Sequence, residues 1–126
     1  MAALTRRGGS PIPHEFTSTT FDVPGYYVSQ SLGLVRGIVV RSRSVFGNIG
    51  AGVQMFFGGN ITIYTSMCET AREQAYEIML GQAQNLGANA VIGVRYDATE
   101  IMSGVTEVLC YGTAVLIEEA APPAHG

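Results

Sequence analysis

The sequence predicts an α+β fold of two layers in the order β-α-β-β, with one long helix lying on an antiparallel sheet. Three observations predict it. The stretch "SMCETAREQAYEIMLGQAQNLG" has the three- and four-residue apolar steps of a helix, two later runs alternate with the period of a strand, and very short links join them. With 126 residues, 47% apolar and 13% charged, the composition is that of one globular domain.

Residues 1–24 mix Gly, Pro, Ser and Thr and read as a tail, with a short strand around "TSTTFDV" that Pro24 and Gly25 would stop. The domain proper spans 25–119, and "AAPPAHG" at 120–126 forms a second tail. Within the domain, "LGLVRGIVVRS" supplies the first strand. Ser66 and Glu69 have the spacing of a capping box and predict a helix from Ser66 to Leu86. Met67, Ala71, Ala75, Ile78, Gln82 and Leu86 form its buried stripe, widened by Met79 and Ala83. Gly87 stands where a left-handed residue ends a helix at no steric cost.

A strand over 90–97 follows at once, with Ala90, Ile92, Val94 and Tyr96 on one face. A turn near Met102, Ser103 and Gly104 leads to a strand over 105–118. Val108, Cys110, Gly112, Ala114 and Leu116 share one of its faces, while Leu109, Tyr111, Thr113, Val115 and Ile117 share the other. Gly93, Gly112 and Ala114 leave room for a helix to lie close. A single helix covers one face only, so one of the two sets lacks a partner within the chain.

Several function classes are excluded by composition. Seven Arg, no Lys, ten acids and a net charge of −3 give no cationic surface for nucleic acid; Arg36, Arg41 and Arg43 are the only local basic group. The N-terminus lacks the apolar run of a secretory signal, so a cytoplasmic location and reduced thiols are expected. Cys68 and Cys110 carry the only thiols in the domain and are weak metal candidates, since no second Cys or His stands at metal-site spacing beside either. Both histidines, His14 and His125, fall in the tails, which leaves no His in the core for a nucleophile–base pair. The chain reads as a non-enzyme with no cofactor.

From Ser44 to Cys68 there is no charge at all. Asn48, Gln54, Asn60 and several Gly and Thr interrupt this run, which argues against a membrane span. Val45, Ile49, Val53, Phe56 and Phe57, with Phe46 beside them, instead mark an apolar stripe on a short helix whose expected cover is a neighbouring subunit.

The segments "LGANAVIGVRYD" and "YGTAV", the pair Gly58–Gly59, and Ala71–Arg72 inside the helix resemble the YbjQ family, small bacterial and archaeal proteins with a heavy-metal-binding label. The similarity runs from about Val35 to Ile117. It implies a dodecin-like β-α-β-β subunit that assembles as a ring, commonly a homopentamer, and implies no activity. Ile38, Gly47, Asn48 and "GGNITIYT" at 58–65 depart from the commoner family pattern, so no site residue is carried across. A dodecin-like flavin site would call for a stacking aromatic, commonly Trp, and the chain has no Trp.

Three functional expectations follow. The first is a non-catalytic ring-forming scaffold or binding protein, its partner being itself. The second is an assembly that binds a metal ion or small ligand between subunits. The third is a membrane-associated protein using the Phe-rich segment.

Overall fold

The computed structural model describes residues 11–42 and 60–121. Their element order is β1 (Tyr26–Ser42), α1 (Asn60–Asn85), β2 (Ala90–Met102) and β3 (Val105–Glu119), preceded by a single 3₁₀ turn at His14–Phe16. The three strands form one antiparallel sheet in the order β1-β3-β2. This is the predicted α+β arrangement, with longer strands: β1 begins six residues before Leu32, and β2 runs on to Met102.

The helix also begins earlier than the capping box predicts. Ser66 lies inside α1, and its carbonyl accepts the Thr70 hydroxyl one turn on at 2.9 Å. A helix already running from Asn60 leaves no free N–H groups at residue 66 for a cap to satisfy, so the S-x-x-E spacing is incidental here. The other end matches its prediction. Gly87 has φ 87°, the Gly87 N–H bonds the Gln84 carbonyl at 2.9 Å, and the Ala88 N–H reaches back to Ala83 at 3.1 Å. Together these bonds form a Schellman termination.

The buried face of α1 is Ala71, Ala75, Met79, Leu80 and Ala83, packed on Val35 and Val39 of β1 and Val108, Cys110 and Ala114 of β3. Ile78 and Leu86, predicted inside, are 49% and 48% exposed. The helix is rotated because its backbone rests on Gly37: a Cβ there would stand 2.0 Å from the Ala75 carbonyl oxygen and 2.6 Å from the Met79 nitrogen. Such an approach turns residues 75 and 79 to the sheet and 78, 82 and 86 outward. Gln82, expected in the core, instead accepts the outward N–H of Arg36 on the sheet edge at 2.8 Å.

Gly93 has a different job from the one predicted. It has φ 64° at a register shift between Ile92 and Arg95, and the Phe21 ring lies against it. It serves the bulge rather than the helix.

On the opposite face, the segment that reads as a tail takes part in the packing. Val23 is buried with Ala90, Ile92, Val115 and Ile117, and Phe16 and Tyr26 close over this second cluster. Ile12 enters the first cluster. Residues 17–20 follow the β2 edge: Thr17 makes a parallel bridge to Val91, the Ser18 and Thr20 carbonyls accept the Val94 and Gly93 N–H groups, and Arg95 bonds the Thr19 carbonyl. "TSTTFDV" is thus a bridge with irregular hydrogen bonds rather than a strand. The face left without the helix is the one with Leu109, Tyr111, Val115 and Ile117; Val115 and Ile117 are covered by this segment, and Leu109 and Tyr111 remain half-exposed.

The short junction between α1 and β2 is held by one side chain. The Asn89 amide donates to the Ile117 carbonyl at 3.1 Å and accepts the Ile117 N–H at 2.8 Å, completing the ladder where β2 begins. Removing it leaves both groups half-buried and unpaired, so Asn89→Ala should cost about 1–3 kcal/mol. The shift of the urea midpoint at constant slope measures this, and an unchanged midpoint would show the bonds to be dispensable.

Candidate functional site

Because α1 lies mainly over β1, less over β3 and least over β2, an open cleft of about 730 Å³ remains beside β2. It is lined by Cys68, Glu69, Arg72, Glu73 and Tyr76 from the first half of the helix, Tyr96 from β2, and His14 from the 3₁₀ turn. Helical spacing of three and four residues sets 69, 72, 73 and 76 on one flank. The Pro13–Thr17 turn brings His14 over its top.

The side chains of the cleft mostly engage one another. His14 Nε2 lies 3.1 Å from Glu77 Oε2, and its ring meets Tyr76 edge-on with centroids 5.0 Å apart. The Tyr76 hydroxyl shares a 2.7 Å hydrogen bond with Thr17. The Arg72 guanidinium sits 5.6 Å above the Tyr96 ring, a cation–π contact. Burial chiefly pushes the Tyr96 phenol up to about 12, helped by Cys110, with Arg72 acting in the opposite direction. Burial likewise raises Tyr76 and the Cys110 thiol.

The two predicted thiols are not brought together. Cys68 is exposed in the cleft, whereas Cys110 is buried under the helix with its Sγ 3.7 Å from Met79 Sδ. Residues 68 and 79 are separated by about 16 Å of helix at 1.5 Å per residue. Among the described residues no three His, Cys, Asp or Glu side chains group as metal ligands. Val45, Phe46, Ile49, Val53, Phe56 and Phe57, the predicted subunit contact, lie outside the described residues, as do Arg43 and His125. His14, read as a solvated tail residue, is instead seated against α1. The cleft's tyrosines carried no signal beyond their places in the helix and strand patterns. No helix among the described residues is long and apolar enough to cross a membrane.

The fold and cleft can now be set beside known proteins. A family model described as "Putative heavy-metal-binding" matches residues 16–118, and the chain belongs to this YbjQ family. A UPF0145 protein of Paraburkholderia phymatum is 70% identical over 104 residues, covering 82% of this chain and 94% of that relative. Another, from Solibacter usitatus, is 59% identical over 110 residues, covering 87% and 98%. A solved structure of a DUF74-family protein of unknown function from Pediococcus pentosaceus shares the fold, with a TM-score of 0.55 at 19% identity, over 84% of this chain and all of that one.

The raised phenols set a pH dependence. A tyrosine whose folded pKa exceeds its unfolded value stabilises fully below the latter and loses that contribution as pH rises toward the folded value. For Tyr96 the window runs from 10.0 to about 12. Melting temperature should therefore fall across this range, and Tyr96→Phe should lessen the fall without reducing stability at neutral pH by more than about 1 kcal/mol. Tyr96 as a whole is 42% exposed, so equal alkaline slopes in the two proteins would contradict the raised phenol.

Proposed function

We propose that this protein is a non-catalytic, cytoplasmic homo-oligomer that closes as a ring and serves as a scaffold or binding protein. The observation that carries the reading is the apolar surface left on the strands at both edges of the sheet. Leu34 is 65% exposed and Val40 53% on β1, while Ile101 and Met102 are 55% and 63% exposed on β2. Fully hiding a side chain of this size is worth about 1.5–3 kcal/mol, a large share of the stability of a small domain. Cyclic closure covers such surface and pairs strand edges without open-ended growth. Five subunits is the number the family resemblance suggests, and the uncharged residues Val45, Phe46, Ile49, Val53, Phe56 and Phe57 are proposed to line the contact.

A second reading, a soft metal ion held between subunits, is favoured by the exposed Cys68 thiol in the cleft and by the family's description. Ring symmetry would then bring together ligands that the described residues of one chain do not group.

Native mass spectrometry of protein purified without chelator separates these readings, since it weighs subunits and bound ions together. The expected result is one closed species, broken into smaller ones by Phe56→Asp combined with Phe57→Asp. A monomer at micromolar concentration would remove the proposal. A stoichiometric metal mass, absent in Cys68→Ser, would replace the scaffold reading with the metal one.

A further inference from the structure

Beneath the cleft, two sulfur atoms stand together in the core. The helix seat at Gly37 sets Met79 over the middle of the sheet, and register places Cys110 across from Gly37 on one side and from Tyr96 on the other. Met79 Sδ and Cys110 Sγ are 3.7 Å apart, with the thiol donating to the thioether, and both residues are fully buried. No charged residue is buried among the described ones, so the pair lies in an apolar interior. Tyr76 and Tyr96, which line the cleft, are also the phenols that neighbour Cys110, and the Tyr96 hydroxyl hydrogen-bonds its sulfur.

We propose that Met79 and Cys110 form a two-sulfur site for a soft monovalent ion of the copper(I) or silver(I) class. Thiolate and thioether sulfur are the donors such ions select, whereas hard ions such as magnesium and calcium require oxygen. The ion takes the place of the thiol proton between the two sulfurs. With metal–sulfur bonds of about 2.3 Å, as in zinc thiolates, two sulfurs on one ion stand at most about 4.6 Å apart. The 3.7 Å separation falls within that span, and the flexible Met79 side chain supplies any widening.

Charge sets the valence. Exchange of the Cys110 proton for a monovalent ion leaves a neutral pair, while a divalent ion would leave an uncompensated positive charge in an apolar interior. The Tyr96 hydroxyl supports the thiolate from outside, as outer hydrogen bonds do in metal sites. Rotation of the Tyr76 and Tyr96 rings is the route from the cleft to the sulfurs.

The site lies within one chain, so it goes beyond the self-association reading and differs from a metal held between subunits through Cys68. Silver(I) nitrate titrated into the full chain carrying Cys68→Ser tests it, with native mass spectrometry counting bound ions and proton NMR following the methionine methyl groups. One silver ion per chain should bind at an unchanged subunit number, and the Met79 methyl signal should shift. Cys110→Ser added to this background should abolish binding. Met79→Leu, which nearly conserves volume and keeps the fold, should weaken it by about 10-fold or more. No silver uptake by the Cys68→Ser chain, an unmoved Met79 signal, or equal affinity in Met79→Leu would overturn the site while leaving self-assembly standing. Zinc(II) bound as tightly as silver(I) by the Cys68→Ser chain would overturn the monovalent assignment.

Discussion

The contact on which the rest of the structure depends is the meeting of helix backbone with strand backbone at Gly37. There is no room for a side chain at Gly37, since even a methyl group would stand 2.0 Å from the Ala75 carbonyl oxygen, far inside van der Waals contact. Ala71, Ala75 and Ala83 extend the same close seat along the helix. Interiors pack like organic crystals, so an approach this close fixes the rotation of the helix as well as its height. That rotation decides which residues face water: it turns Ile78 and Leu86 outward and frees Gln82 to bond the edge N–H of Arg36.

Seating the helix over β1 and β3 has a cost at β2, which is left with an open flank. The chain's N-terminal segment partly compensates. It lies along the first half of β2, buries Val23 against Val115 and Ile117, and sets His14 against Tyr76 and Glu77 at the mouth of the cleft. What stays uncovered is the second half of β2 and the open sheet face. Among the described residues these are the surfaces left open by the way the helix is seated, and they are the ones on which the proposed self-association draws.

Most of this architecture was legible in the sequence, because period-two and three-to-four-residue patterns reflect burial directly. The termination at Gly87 was legible because few residues other than glycine adopt its backbone angles. Other features were hidden for particular reasons. The first turns of α1 read "NITIYT", rich in β-branched residues that are poor helix formers, which made Ser66 the first convincing start. Ile12, Phe16 and Val23 are single apolar residues among Pro, Ser and Thr, without a period to mark them as core. The cleft draws on three distant parts of the chain, His14, Cys68–Tyr76 and Tyr96; Cys68 and His14 stood out by residue type, but His14 read as part of a tail. Gly37 itself resembles any strand glycine until the helix is laid upon it.

The seat is tested most directly by comparing two glycine-to-alanine substitutions. Gly37 meets helix backbone, while Gly81, within α1, has open space where a Cβ would stand. Gly81→Ala should stabilise by about 0.4–1 kcal/mol, from helix propensity and reduced freedom of the unfolded chain. Gly37→Ala should destabilise by about 3 kcal/mol or more as helix and sheet are forced apart. Opposite signs in urea unfolding are the predicted result, and a Gly37→Ala protein as stable as the native one would contradict the account.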